Sequence, residues 1–186
     1  KGQTLTLLGQ AGIDRLTLVG VGKARELDAR AAETLGGTLA AEANAAGLKG
    51  FAVLVDVVKG CKLTPGQVAA RIALGARLRT YRFDKYKTKD KPEQKTSLEA
   101  ISLHLAGPAD GRRAYDKLEP TIDAVFFARD LVSEPANVLY PAEFARRARD
   151  LSKLGIKVEI MGETEMKKLG MNVLLGVGQG SERESQ

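Results

Sequence analysis

Side chains that could carry hydrolytic or metal chemistry are few in this sequence and lie far apart. It has one histidine, His104, and one cysteine, Cys61, so the residue types do not support a histidine metal site, a Ser-His-Asp triad or an internal disulfide. Hydrolysis by two metals needs clustered carboxylates. The acidic residues instead lie on predicted helix surfaces, as Glu163 and Glu165 do beside Lys167. We therefore predict no catalytic residue, no metal ligand and no cofactor in this chain.

A glycine-lysine turn at residues 20–23 is the one place where a phosphate could be held by backbone amides. The turn follows a predicted strand and precedes a predicted helix, as in phosphate-binding loops. Ala24 stands where a Walker loop needs Ser or Thr, and Arg25 stands where a dinucleotide fingerprint needs its third glycine. The pattern is therefore more typical of an ordinary strand-to-helix turn, with phosphate binding as the alternative.

A basic segment, residues 77–95, carries eight basic and three acidic side chains and accounts for most of the formal net charge of +6. Aromatic residues Tyr81, Phe83 and Tyr86 alternate with the basic ones, a composition that can stack bases and neutralise phosphates. A lysine-rich solvated loop is the simpler interpretation, because Asp84 lies in its middle. Five side chains are candidates for nucleic-acid or interface contacts: Arg77, Arg79, Arg82, Lys85 and Lys87.

Strands and helices alternate along the chain. Strand patterns occupy residues 4–8, 16–21, 51–58, 98–105 and 157–161, and the apolar run at 51–58 is typical of a strand covered on both faces. Helices are predicted for residues 24–46, with a weak point at Gly36 and Gly37, from Thr64 to about residue 81, and from residue 111 onward with an interruption at Pro120. Two more follow at 142–153 and 164–169, and residues 171–177 are ambiguous.

The stretch 121–144 organises the rest of the chain. Its apolar residues recur at helical spacing up to Ser133, and Pro135 then ends the helix because proline lacks the backbone N–H that a helix interior needs. Pro141 suits the first turn of the next helix. Two helices should therefore meet across a stiff connector.

Three segments resemble the leucyl aminopeptidases, the cytosolic two-metal aminopeptidase family. They are YRFDKYKT at residues 81–88, ARDLVSEPANVLYPAEFA at 128–145 and KLGMNVLLGVGQGS at 168–181. They occur in the family's order, and one departure is visible: Ser133 stands where asparagine is expected. The family's metal-binding and catalytic words, DTGG and NTDAEGR, do not occur in this sequence, so no catalytic residue is carried over.

The resemblance implies a longer parent enzyme that releases N-terminal amino acids from peptides with two divalent metals, zinc or manganese, and that assembles as a hexamer. It implies that helix 121–133 joins a non-catalytic N-terminal domain to the catalytic domain. Arg129, Asp130 and Glu134 are then candidate interdomain contacts, and a solvated helix face is the alternative. The residues 81–88 would serve domain or subunit contact, with DNA binding as a further possibility known for some family members.

These observations lead to one prediction of architecture. We expect an α/β fold with three layers, a mixed or mainly parallel sheet with helices on both faces and a macro-domain-like N-terminal domain, followed by an incomplete second α/β domain. The predicted divisions are residues 1–120, a linker helix at 121–135 and the start of a catalytic domain at 136–186. The chain begins close to a strand and ends just after an apolar segment, so we expect a piece of a longer, cytoplasmic protein. No apolar run reaches the roughly 20 residues that span a bilayer.

Overall fold

A computed structural model describes residues 2–10, 12–89 and 96–186. By the contacts between its residues the chain divides into two compact units, Lys1–Phe126 and Phe127–Gln186, which are described separately below. The division falls inside a helix. The predicted division at residues 120 and 135 stays a prediction.

Among its described residues the first unit contains four strands and three complete α-helices, and a fourth helix runs from it into the second unit. The strands are β1 (Thr4–Gln10), β2 (Ile13–Val19), β3 (Gly50–Leu54) and β4 (Ala100–His104). The helices are α1 (Ala29–Ala45), α2 (Pro65–Arg79), α3 (Pro108–Asp116) and α4 (Glu119–Ser133). None of the described helices is long and apolar enough to cross a membrane.

The described strands form two small sheets of opposite kinds. Strands β1 and β2 pair antiparallel, with Leu7 opposite Leu16, and strands β3 and β4 pair parallel, with Phe51 opposite Ile101. Strand β4 reaches β3 through α2, which is the helical crossover that parallel pairing requires. The predicted α/β class is confirmed, with both kinds of strand pairing present.

The core of the first unit lies between the β3–β4 sheet and helices α1 and α2. Six residues form its buried centre: Leu27, Ala32, Val55, Val68, Ala69 and Ile72. Val53 and Leu103 pack against that centre from the sheet. On the opposite face of β3, Leu54 is 84% exposed, so the helices cover the face that carries Val53.

Helix boundaries follow local capping signals where these exist. The Thr64 hydroxyl accepts from the Gln67 N–H, and the Gln67 side chain accepts from the Thr64 N–H, a complete capping box with Pro65 at the first helical position. Helix α1 begins later than predicted, at Ala29, because residues Ala24–Glu26 form a 3₁₀ turn and Asp28 caps the helix. Pro120 lies in the first turn of α4, where its missing N–H costs no helical bond, so the predicted interruption falls between α3 and α4.

The second unit contains the end of α4 and three further helices. These are α5 (Pro141–Arg149), which continues into a 3₁₀ turn (Asp150–Leu154), α6 (Glu163–Lys168) and α7 (Asn172–Gly178). The ambiguous residues 171–177 are thus largely helical. The strand predicted at residues 157–161 is wrong, since no described strand pairs with this segment and an unpaired strand leaves its backbone groups without partners. Ala145, Met166 and Leu175 are buried in this unit.

Candidate functional site

Residues 82–87 of the basic segment form a turn in which Asp84 pairs with two basic side chains. The Arg82 guanidinium donates to Asp84 Oδ2 at 2.7 Å, and Lys87 Nζ lies 3.3 Å from Asp84 Oδ1. The Lys87 N–H also donates to the Asp84 carbonyl at 3.0 Å. The hydrogen bond from Arg82, reinforced by Lys87, lowers the pKa of Asp84 below its ordinary value. Two of the five candidate basic side chains are therefore paired with this carboxylate.

Aromatic side chains hold the same turn in place. The Phe83 and Tyr86 rings meet edge to face with centroids 5.8 Å apart, and Lys85 Nζ lies 5.4 Å from the centroid of the Tyr86 ring. The Tyr81 ring packs on Phe126 of α4 at 5.2 Å. The Tyr81 ring thus connects the start of this turn to α4. Residues 90–95 of the predicted segment lie outside the described residues.

Arg77 and Arg79 belong to the last turn of α2 rather than to this turn. Arg77 lines a cavity of about 430 Å³ between α2, β4 and α3, and half of the lining residues are alanine or leucine. Tyr115 of α3 lines the same cavity, and its burial raises the pKa of its hydroxyl, which the Arg77 charge opposes. The five basic candidates therefore lie in two different places, Arg77 and Arg79 in α2 and the other three in the turn.

The second unit brings Glu134 to a residue that the sequence analysis did not identify. The Glu134 side chain is only 3% exposed, and its Oε1 accepts from Arg147 Nη2 at 3.4 Å. Arg147 Nε donates to Glu143 Oε1 at 2.8 Å, and Arg146 donates to both Glu143 oxygens at 2.7 Å. Hydrogen bonds from Arg146 and then Arg147 lower the pKa of Glu143 to about 2. The spacing of four between Glu143 and Arg147 was the available sequence signal.

Arg129 and Asp130, the other two candidate interdomain residues, are exposed on α4. Each takes part in at least one polar or electrostatic interaction. The Asp130 carbonyl accepts from the Glu134 N–H at 3.0 Å, which extends the helical bonding one residue past Ser133. Of the three candidates, only Glu134 has a nearly fully buried side chain that is paired with a residue of α5.

Within the second unit, residues 183–185 contact side chains from earlier in the chain. The Arg183 guanidinium carbon lies 3.6 Å from the centroid of the Tyr140 ring, a cation–π contact. The Ser185 N–H donates to Glu163 Oε1 at 3.1 Å, and Ser185 is 8% exposed. Tyr140 immediately precedes α5, so this contact reaches the segment that joins α4 to α5.

The remaining sequence candidates for chemistry, the 20–23 turn and Cys61, lie beside groups that stabilise the fold. The Asp28 carboxylate accepts from the Ala31 N–H at 2.8 Å. A phosphate held by the 20–23 turn would need the N-terminus of the following helix, and at α1 this carboxylate already occupies that position. Cys61 Sγ lies 3.4 Å from the Leu27 carbonyl oxygen. Within residues 2–10, 12–89 and 96–186 no three His, Cys, Asp or Glu side chains are grouped to hold a metal ion.

Two family models match this chain in consecutive parts. The N-terminal domain of the cytosol aminopeptidase family matches residues 1–90, and the catalytic domain of that family matches residues 126–186. The second match begins inside α4, one residue before the boundary of the second unit. The two matches together leave out residues 91–125.

Curated relatives share this similarity along the whole chain. A probable cytosol aminopeptidase of Caulobacter vibrioides is 47% identical over 188 residues, an alignment that covers 100% of this chain and 37% of the relative. A probable cytosol aminopeptidase of a Bradyrhizobium species is 48% identical over 187 residues with the same two coverages. The chain thus spans about 37% of the length of these relatives.

Solved structures of similar fold are also enzymes of greater length. A mutant of tomato leucine aminopeptidase has a TM-score of 0.76 and 27% identity, covering 98% of this chain and 36% of that protein. The bottromycin maturation enzyme BotP has a TM-score of 0.75 and 25% identity, covering 98% and 38%. A structure of BotP in complex with Mn has a TM-score of 0.73 and 26% identity, covering 98% and 37%.

Proposed function

Because this chain belongs to the cytosol aminopeptidase family, we propose that it is the N-terminal domain and the first part of the catalytic domain of a longer aminopeptidase. That enzyme releases N-terminal amino acids from peptides. The observation that carries the proposal is the order of the two family matches, with the N-terminal domain first and the catalytic domain beginning in α4. The resemblance of the three sequence segments to this family is thereby confirmed.

The metal ions of the proposed enzyme would be held by residues outside this sequence. A two-metal site requires several ligands converging on ions about 3.5–4 Å apart, and the described residues offer no such group. The residues present therefore do not fit the metal pair, and we assign them no step of the reaction. Manganese or zinc is the expected metal, and the BotP complex with Mn supports manganese by similarity.

Within that enzyme we assign this chain a scaffold role. Helix α4 runs from the first unit into the second, and this continuity supports a role in joining the two domains. Arg129 and Asp130 would contribute contacts between the domains, whereas the Glu134 side chain pairs with Arg147 inside the second unit. The turn at residues 81–88 would contribute contacts between subunits of a hexamer. The names of the curated relatives support a cytosolic enzyme that acts on peptides.

Binding of nucleic acid by the basic segment is the second candidate function. Lys85 beside the exposed Tyr86 ring offers a charge and a stacking surface together. Against it, Asp84 already pairs with Arg82 and Lys87. Phosphate-driven binding falls steeply with salt, so the test is titration of the chain with single-stranded DNA at about 50 and about 200 mM salt. If no binding is detected at the lower salt concentration, this candidate function is rejected.

Supplying the missing part of the enzyme separately tests the scaffold role. The 186-residue chain and the remaining polypeptide of the same enzyme would be produced as separate proteins and mixed with manganese. We expect hydrolysis of leucine p-nitroanilide only in the mixture, together with co-elution of the two proteins. Full activity of the remaining polypeptide by itself would contradict the scaffold role.

A further inference from the structure

The connector, residues 135–140, is a tight turn between two helices. The N–H groups of Val138 and Leu139 both donate to the Pro135 carbonyl, at 2.9 and 2.8 Å. Pro135 and Pro141 fix their own φ angles at either end. Backbone bonding thus closes the turn locally, but two shared bonds to one carbonyl do not by themselves keep it closed against local opening.

A buried charge stands immediately before this turn. The Glu134 side chain is 3% exposed, and a carboxylate withdrawn from water to that degree needs a cationic partner. Arg147 supplies it at 3.4 Å, from the second turn of α5. Arg147 is itself only 18% exposed and is oriented by its 2.8 Å hydrogen bond to Glu143 in the first turn of α5. The side chain therefore links the residue before the connector to the helix after it.

The neighbouring arginine provides an internal comparison. Arg146 donates to both oxygens of Glu143 at 2.7 Å and is 63% exposed. Within the described part of the chain it forms no ion pair with Glu134. Arg146 and Arg147 thus share one partner and the same helix, and only Arg147 reaches across the connector.

We propose that Arg147 is a positioning residue that holds the connector in one conformation through its ion pair with the buried Glu134. When the pair is broken, the turn opens locally while the surrounding helices stay folded. The proposal goes beyond the scaffold role and does not depend on the aminopeptidase assignment, because the contacts that carry it all lie within the second unit.

Hydrogen exchange of the 186-residue chain tests this proposal at the two amides that close the turn. In Arg147→Gln we expect the Val138 and Leu139 amides to exchange about tenfold to a hundredfold faster, the range for losing a hydrogen bond to a charged group. In the matched control Arg146→Gln both amides should keep their rates. Arg147→Lys should show intermediate rates, because a compact ammonium replaces the fork of donors that reaches two carboxylates.

A general loss of stability in the second unit would accelerate exchange at amides away from the connector as well. The Met171 and Leu175 amides, which donate to Met166 and Met171 carbonyls in the same unit, should be unchanged in Arg147→Gln. Equal acceleration at all four amides, or equal acceleration by both glutamine variants, would overturn the proposal. Should Arg147→Gln fail to fold, Glu134→Gln breaks the same ion pair with an isosteric side chain, and unchanged exchange at Val138 in that variant would likewise overturn it.

Discussion

The backbone of Gly36 in α1 lies against the Ile72 carbonyl of α2, so close that a Cβ on Gly36 would overlap that carbonyl. The arrangement is reciprocal, because a Cβ on Gly75 of α2 would overlap the Glu33 carbonyl of α1. An ion pair between Arg71 and Glu33, at 2.6 Å, joins the same two helices. The two helices that cover the β3–β4 sheet therefore pack backbone against backbone, and glycine is required at both crossing positions.

Replacement of Gly36 by alanine should separate α1 from α2. We expect Gly36→Ala to lower the free energy of unfolding by about 1–3 kcal/mol, since the helix backbones must shift to admit the methyl group. Gly37→Ala is the matched control. A Cβ there would lie 3.7 Å from the Gly75 carbonyl oxygen, an ordinary contact, so the higher helix propensity of alanine should raise stability by about 0.5–1 kcal/mol. Urea unfolding measures both, and equal effects of the two variants would contradict this packing.

Asn44 fixes the segment that leads into β4. Its Oδ1 accepts from the Ser97 and Leu98 N–H groups, both at 3.1 Å, and its Nδ2 donates to the Ala40 carbonyl at 3.0 Å. Asn44→Ala should cost about 1–3 kcal/mol, because two partly buried amides lose their acceptor. Asn44→Asp keeps the acceptor and should cost less. Amide exchange at Ser97 and Leu98 reports the loss directly, and unchanged rates in Asn44→Ala would refute the assignment.

The stability of the second unit should depend on pH through Glu143. Its pKa is lowered from 4.5 to about 2 by the hydrogen bonds from Arg146 and Arg147. A lowered pKa in the folded state means that the carboxylate stabilises the fold above its unfolded pKa and loses that contribution as pH falls toward 2. We expect the difference in unfolding free energy between wild type and Glu143→Gln to be constant above about pH 6 and to shrink between about pH 5 and 2.

Urea unfolding followed by the NMR signals of α5 at several pH values measures that difference. Asp84 also has a lowered pKa, but it remains in the variant and none of its causes involves Glu143, so its contribution cancels in the comparison. The Glu143 charge acts on the pKa of Asp150, so the comparison is made with Asp150→Asn present in both proteins. A difference that stays constant down to pH 2 would show that Glu143 does not ionise differently in the folded and unfolded chain.

The parts of the fold that were predictable from sequence are those fixed by local signals. Thr64 and Pro65 marked the start of α2, and Pro135 marked the end of α4, because capping and the missing proline N–H act within a few residues. Gly36 was predicted to be a weak point of α1 because its role cannot be read from local signals. Its role depends on a partner helix more than thirty residues away, which helix propensity does not report.

The same distinction holds for the site. Glu134 was identifiable as a charged residue at a helix end, but its pairing with Arg147 depends on how the chain turns at the connector. The strand predicted at 157–161 was an apolar pattern without a neighbour to pair with. The turn at residues 20–23 follows a strand and precedes a helix, as phosphate-binding turns do, but Asp28 already caps helix α1. Family membership, by contrast, was recognisable from three segments of sequence.

The most direct test of the proposed function compares the 186-residue chain with the longer enzyme that contains it. Hydrolysis of leucine p-nitroanilide is measured for both proteins with manganese, with zinc and with a chelator. We predict no hydrolysis by the 186-residue chain with either metal, and metal-dependent hydrolysis by the longer enzyme that the chelator abolishes. Metal-dependent hydrolysis by the 186-residue chain alone, or an inactive longer enzyme with both metals, would contradict the proposed function.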